Sequence, residues 1–242
     1  SVIFIYKTKK SCCYMKVAVL FSGGKDSCLA LFKTMQKHEV ACLVSIISEN
    51  PESYMFHTPN IHIVKMQAEA IGIPLFLRKT KGEKEKELDD LKAALQEAKK
   101  EYQIEGIVTG AIKSVYQSGR IQKICDELGL ECINPLWQRD EIELLNELVK
   151  NKFKVIITKI AAEGFDESWL RREIDKGVIK ELGDLQKKYG ISIVFEGGEG
   201  ETLVTNAPFF KKEIKIIKAD KVVEGKYSGY LDIKEARLEE KD

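Results

Sequence analysis

The sequence predicts an α/β fold: a parallel, doubly wound sheet with helices on both faces, then a smaller C-terminal α+β domain. Three observations predict it. From Met15 onward, strand-length apolar runs alternate with helical patterns. Those runs, such as Val17-Ala18-Val19-Leu20-Phe21 and the stretch from Val40 to Ser48, are almost continuously apolar, as strands buried on both faces are. Near Asn134-Pro135 the regular alternation stops, which divides the chain into residues 15–138 and 139–242.

Each element follows from local pattern. Val17–Phe21 reads as a strand, a glycine-rich turn follows, and the next helix runs to Lys37. Val40–Ser48 is a second strand, and Pro51 and Pro59 mark Glu49–Asn60 as loop. Ile61–Ala70 reads as a helix stopped by Gly72 and Pro74, and Leu75–Arg78 as a short strand. Lys81–Tyr102 is a long charged helix whose Leu88, Leu91 and Leu95 share one face. Gly106–Gly110 is a strand and Ser114–Leu128 a helix. Beyond the boundary, Asp140–Asn151 and Asp175–Tyr189 read as helices, and Lys154–Ala161 and Ile191–Phe195 as strands. Glu213–Ala219 and Lys221–Tyr230 read as a hairpin turning at Ala219-Asp220. Parallel sheets bind ligands beyond the carboxyl ends of their strands, at a topological switch point. The turn after Phe21, the stretch Ser45–Glu49 and the stretch Gly110–Ser114 all fall at such ends.

Composition narrows the function classes. The 242 residues suit one large domain or two modest ones. Lys and Arg number 39 against 38 Asp and Glu, so a net charge of +1 gives no field for nucleic acid or a membrane surface. No apolar run reaches bilayer-spanning length. Six cysteines without a Cys-x-x-Cys pair point to a reduced, cytoplasmic protein. The weight of Lys and Glu suits a heat-adapted source. Residues 1–14 carry Lys7, Lys9 and Lys10 and no acid. They read as an extension ahead of the natural start or an expression remnant, the alternative being an extra edge strand.

The most informative segment is Ser22-Gly23-Gly24-Lys25-Asp26-Ser27. A strand entering a helix through a glycine turn presents backbone N–H groups and a positive dipole end to an anion. Ser22 and Ser27 add hydroxyl donors, and Lys25 adds a charge for oxygens that grow more negative during reaction. Asp26 beside phosphates needs a cation, which points to Mg2+. The loop is no Walker A motif: Asp26 stands where Ser or Thr is required, and Val19 where the first Gly belongs. The second informative segment, Glu196-Gly197-Gly198-Glu199-Gly200-Glu201-Thr202, sets three carboxylates on a flexible turn. Converged on one point, they can hold a cation, take a proton or bind a cationic group.

Ser-Gly-Gly-Lys-Asp-Ser resembles the loop of the ATP pyrophosphatases, the PP-loop or adenine nucleotide alpha hydrolase-like (HUP-like) superfamily. The resemblance implies a Rossmann-like sheet and cleavage of ATP to AMP and pyrophosphate. Further segments are similar to the diphthine–ammonia ligases in particular: Tyr54-Met55-Phe56-His57-Thr58, Gly110-Ala111-Ile112-Lys113-Ser114 with Tyr116-Gln117 and Arg120, Pro135-Leu136-Trp137, Glu196–Thr202 and Asn206–Phe210. They occur in family order from Met15 to Phe210. Two departures stand out: many relatives carry an aromatic residue where Gly200 stands, and the chain lacks the added C-terminal domains of larger eukaryotic relatives, as the compact archaeal form does.

The resemblance implies amidation of diphthine, a modified histidine on translation elongation factor 2, with ammonia, ATP and Mg2+. ATP is expected on Ser22, Gly23, Gly24, Lys25, Asp26 and Ser27, with adenine near Ser45, Ile46, Gly110 and Ala111. Asp26 is the expected Mg2+ ligand. Tyr54, His57, Tyr116, Arg120 and Glu196 are the expected substrate contacts, with Tyr54 or Trp137 as an aromatic face for a quaternary ammonium. Lys25, Asp26, Glu199 and Glu201 are the expected catalytic set, with both glutamates facing Lys25 across a cleft. Cys28 reads as core. Two other functions compete: a PP-loop enzyme that modifies tRNA, disfavoured by net charge, and a nucleotide sensor that releases no pyrophosphate. Partners are elongation factor 2 and ammonia, with no membrane or nucleic acid, and a homodimer is compatible with these features.

Overall fold

A computed structural model describes residues 14–48, 60–80 and 86–241. The elements run β1 (Lys16–Leu20), α1 (Lys25–Thr34), β2 (Glu39–Ser48), α2 (Ile61–Ile71), β3 (Leu75–Thr80), α3 (Lys86–Tyr102), β4 (Gly106–Val108), α4 (Val115–Leu128) and β5 (Glu131–Ile133). They form a five-stranded parallel sheet in the order β3-β2-β1-β4-β5. The chain leaves β1 toward one edge of the sheet and returns through β4 toward the other. The carboxyl ends of β1 and β4 therefore flank the switch point where such sheets bind ligands.

Alternation along the strands sorts side chains onto two faces. Val17, Val19, Phe21 and Leu43 join one buried cluster with Leu29, Leu31 and Ile63 of α1 and α2. Ala18, Cys42, Val44 and Ile46 join another with Leu91, Leu95, Ile121 and Ile124 of α3 and α4. The sheet is thus covered on both faces, as the continuous apolar runs require.

The remaining elements are α5 (Glu141–Lys150), β6 (Lys154–Ala161), α6 (Lys176–Tyr189), β7 (Gly200–Asn206), β8 (Lys212–Gly225) and β9 (Ser228–Glu240). Their four strands make an antiparallel sheet in the order β7-β6-β9-β8. Aspartates cap two of the helix starts. Asp140 accepts from Glu143 N at 2.9 Å, and Asp175 accepts from Val178 N at 2.8 Å. This part has no core of its own. Val155, Ile157, Leu182, Phe195 and Val204 belong to the same buried cluster as Val17 and Leu29. Three rings pin the junction: Phe32 of α1, Phe153 before β6 and Phe209 after β7 have centroids 5.6, 5.9 and 6.1 Å apart pairwise.

Several expectations need correction. Ile191–Phe195 is not a strand. The segment is a turn in which Phe195 N donates to Ser192 O and Phe195 takes φ of 64°, and its apolar residues are buried against the shared core rather than paired in a sheet. The late hairpin turns at Gly225–Ser228, not at Ala219-Asp220, which lies within β8 opposite Asp232 and Ile233. Register shifts around Lys218 break the two-residue apolar period there, and that break looks like a turn in sequence. The three-residue β5 was missed, and β4 ends at Val108 rather than Gly110. Residues 1–13, the expected Glu49–Asn60 loop except for Asn60, and residues 81–85 of the expected Lys81–Tyr102 helix lie outside the described residues. Cys28, read as core, is fully buried, and burial pushes its thiol well above the usual range.

A shared core predicts a single unfolding transition. Phe153→Ala should lower stability by about 3–5 kcal/mol, the cost of emptying a buried aromatic site. Urea titrations followed separately by fluorescence and by circular dichroism should shift together. Two separated transitions in the wild-type protein would show that each sheet folds on its own.

Candidate active site

The Ser22–Ser27 loop follows β1 and opens α1. Gly24, the residue before the helix, has no side chain of its own to cap it. Gly23 takes φ of 80°, which suits glycine at the sharp turn. Ser22 and Ser27 hydroxyls lie 3.2 Å apart, and Ser27 Oγ donates to Gly24 O at 3.1 Å. Gly110, after β4, comes so close that a Cβ there would sit 2.9 Å from Asp26 C and Ser27 N.

The antiparallel sheet clamps this loop from the other side. Lys25 N donates to Thr202 Oγ1 at 3.1 Å, and Val204 N donates to Gly23 O at 3.0 Å. The fully buried Gln67 of α2 donates its amide to Gly23 O at 2.8 Å and to Val204 O at 2.7 Å. Sequence reasoning missed Gln67, a lone polar residue on an apolar helix face. It quoted Thr202 only as part of a motif.

Lys25 is only 2 % exposed. Its ammonium donates to Asp26 Oδ2 at 2.8 Å and to Val194 O at 2.5 Å, and it lies 5.6 Å from the Phe195 ring centre. Crowding by protein raises the Asp26 carboxyl above its usual value; Lys25 opposes that shift and nearby Glu196 adds to it. A third of the Asp26 side chain still opens to solvent.

A cleft of about 930 Å3 lies between the two sheets. The expected nucleotide residues Ser22, Gly24, Lys25, Asp26, Ser27, Ser45, Ile46, Gly110 and Ala111 line it, facing Glu196, Gly197, Gly198, Gly200, Glu201 and Thr202. Gly23 lies one step back, under Gln67 and Val204. Leu20, Val44, Leu91 and Ile121 supply an apolar end. Gln117 also lines the cleft, whereas Tyr116 and Arg120 lie on the adjoining face of α4, the guanidinium 4.1 Å from the Tyr116 ring centre. Trp137 is not among the described residues that line the cleft. Tyr54 and His57 lie outside the described residues.

The three glutamates do not converge. Glu196 accepts from Ile112 N and Lys113 N, both at 2.8 Å, and so ties its turn to the loop after β4. Glu199, expected to face Lys25, instead folds back on its own turn and accepts from Ser192 N at 2.9 Å and Gly197 N at 2.8 Å. Glycine permits the turn, but unsatisfied N–H groups inside it capture the carboxylate first. Glu201 lines the cleft and accepts from Lys159 Nζ at 3.2 Å. Buried Glu141 supports the arrangement, accepting from Lys113 Nζ at 2.7 Å and Ile193 N at 3.0 Å. At Gly200 a Cβ would meet Lys159 O at 2.6 Å and the Phe195 ring at 3.2 Å. That space belongs here to Phe195.

Among the described residues, no group of three or more His, Cys, Asp and Glu side chains could hold a metal ion. A cation here would lean on Asp26 and on ligand oxygens, as Mg2+ beside nucleotide phosphates does.

A Ser-Gly-Gly-Lys-Asp-Ser loop at the switch point of a parallel sheet is the PP-loop arrangement of the ATP pyrophosphatase class. The chain belongs to the diphthamide synthase family: the family's N-terminal domain matches residues 15–132 and its C-terminal domain residues 140–238. It is 34 % identical over 253 residues to a diphthine–ammonia ligase of Mus musculus, covering 94 % of each chain. It is 33 % identical over 251 residues to a diphthine–ammonia ligase of Homo sapiens, again covering 94 % of each. Against a Saccharomyces cerevisiae relative of the same name, 34 % identity extends over 81 % of this chain and 34 % of that one. The chain thus spans nearly the whole length of the two mammalian relatives and about a third of the yeast one. Among solved structures, a predicted subunit of tRNA methyltransferase from Methanocaldococcus jannaschii aligns with a TM-score of 0.41 and 20 % identity, covering 80 % of this chain and 98 % of that chain. No helix among the described residues is long and apolar enough to cross a membrane.

Glu199 and Glu201 should separate by measurement. Glu199→Ala strands two N–H groups and should cost about 1–3 kcal/mol of stability. Glu201→Gln keeps the shape of the side chain and strands no backbone N–H, so it should leave stability within about 0.5 kcal/mol. Thermal unfolding of the two variants checks this, and equal losses would reverse the assignment.

Proposed function

We propose that the protein is an ATP-dependent, AMP-forming ligase that amidates diphthine on translation elongation factor 2 with ammonia. The observation that carries this reading is near-full-length similarity to diphthine–ammonia ligases, in a chain whose Ser22–Ser27 loop opens on the cleft walled by Glu196–Thr202. Residues 15–138 act as the nucleotide half and residues 139–242 as the substrate half, in the cytoplasm.

ATP lies with its phosphates on the Ser22–Ser27 turn and its adenine toward Val44, Ile46 and Ala111. The substrate carboxylate attacks the α-phosphorus and pyrophosphate leaves. Two anions meet in that step, and the α1 dipole together with Lys25 lowers their repulsion. Asp26 would hold Mg2+, which supplies charge neutralisation for the leaving pyrophosphate. Asp26 also fixes Lys25 at the loop. Ammonia then attacks the acyl carbon, AMP leaves, and a carboxylate takes the surplus proton. Glu201 suits that role, because it lines the cleft while Glu199 and Glu196 are committed to backbone N–H groups. Tyr116, Arg120, Tyr54 and His57 remain proposed substrate contacts.

Purified protein with ATP, ammonium and elongation factor 2 bearing diphthine should yield diphthamide by mass spectrometry, with equimolar AMP and pyrophosphate. Stoichiometric ADP would overturn the mechanism, and ATP binding with no pyrophosphate would favour a sensor. Glu201→Gln should keep ATP affinity and lose about a hundredfold in amide formation. At Gly24, which lines the cleft, a Cβ would sit 3.2 Å from Thr202 O, so a bulkier side chain must displace the turn. Gly24→Val should therefore abolish ATP binding while circular dichroism reports a folded protein; unchanged affinity would move the nucleotide elsewhere.

A further inference from the structure

Among the described residues that line the cleft, the cations are Lys25 and Lys159, and the anions are Asp26, Glu196, Glu201 and Glu224. Lys25 is only 2 % exposed and already donates to Asp26 and Val194. Glu196 is held by the N–H groups of Ile112 and Lys113. Lys159 and Glu201 differ: their side chains keep 28 % and 27 % of their surface, and their ion pair spans 3.2 Å. The antiparallel register pairs Lys159 of β6 with Glu201 of β7, so both project from one face of the sheet. Both partners still open to the cleft. An incoming anion can therefore compete with Glu201 for Lys159.

We propose that Lys159 is the binding residue for the substrate carboxylate, and that it exchanges Glu201 for that carboxylate when substrate enters. The proposal rests on the amide-ligase reading above and adds a residue that no motif singled out. Nucleophilic attack on ATP brings a carboxylate against a triphosphate, and a cation that is already buried in other contacts cannot also orient that carboxylate. Lys159 reaches into the same cleft from the opposite sheet, as an orienting group must. The exchange also times the second step. In the first, a carboxylate oxygen bonds to the α-phosphorus as the bond to pyrophosphate breaks. In the second, the ammonia nitrogen bonds to the acyl carbon, the bond to AMP breaks, and the extra proton on nitrogen passes to Glu201. Glu201, released from Lys159, can then turn toward the nitrogen that gives up the proton.

The test compares Lys159→Met and Lys159→Arg with wild type in the full chain. The assay uses elongation factor 2 bearing diphthine, ammonium and ATP, with substrate-dependent exchange of labelled pyrophosphate into ATP as a second readout. Lys159→Met should raise KM for the elongation factor by about thirtyfold, the scale of one lost charge-assisted hydrogen bond, and depress the exchange reaction. ATP affinity and melting temperature should stay at wild-type values, and Lys159→Arg should recover most of the loss. Wild-type KM and exchange in Lys159→Met would overturn the assignment. So would a fall in ATP affinity matching the rise in KM, since that places Lys159 on the nucleotide. A lowered melting temperature that Arg does not rescue would reduce Lys159 to a structural role and overturn it too. Wild-type protein that forms no amide would instead sink the amide-ligase reading, whereas an active wild type with an unaltered Lys159→Met variant sinks only the Lys159 site.

Discussion

A lysine ammonium with almost no access to water must find partners within the protein, and the whole site is organised around that demand at Lys25. One partner, Asp26, comes from the same helix turn. The other, Val194 O, comes from the far half of the chain. The segment carrying Val194 must therefore be held to fractions of an ångström without the support of a sheet ladder. Glu199 ties it internally, Glu141 anchors Ser192 and Ile193, and Glu196 fastens its end to the loop after β4. Two of the three carboxylates that look like an active-site cluster in sequence, Glu196 and Glu199, are thus spent, together with Glu141, on locating a carbonyl oxygen and the lysine beneath it.

The same demand explains why the antiparallel sheet packs on the α1 and α2 side. Thr202 and Val204 satisfy backbone groups of the Ser22–Ser27 turn, and Gln67 binds carbonyls from both halves. The amide nitrogen of this clamp is met on both sides, while Gln67 Oε1 is buried with no partner among the described residues. The surrounding Phe32, Phe153 and Phe209 rings exclude water at the junction and provide the apolar area that the polar contacts alone do not.

Much of the first sheet was legible because its strands are buried on both faces and its helices carry strong periodicity. The loop between β1 and α1 was legible because few other chemistries need glycine, lysine, aspartate and serine in that order. Less was legible where structure depends on long-range satisfaction. Nothing local distinguishes Glu199 from Glu201, since both are glutamates on a glycine turn. The difference arises from which backbone N–H groups the turn leaves unpaired. Lys159 is one of 39 basic residues, and only strand register sets it opposite Glu201. Ile191–Phe195 has the composition of a strand but is buried as a turn, because its neighbours in space are helices and side chains rather than another ladder.

Gly110 has a further meaning in this arrangement. It sets the separation between two strands' worth of ligand contacts by contributing no thickness of its own, with the backbone of Asp26 and Ser27 resting where its side chain would be. The start of α1 and the end of β4 thereby behave as a single rigid jaw, and the distance from the anion-binding turn to the apolar end of the cleft becomes a property of backbone stacking. Variation in neighbouring side chains can reshape what lines that jaw, but its gauge is set where the two main chains touch.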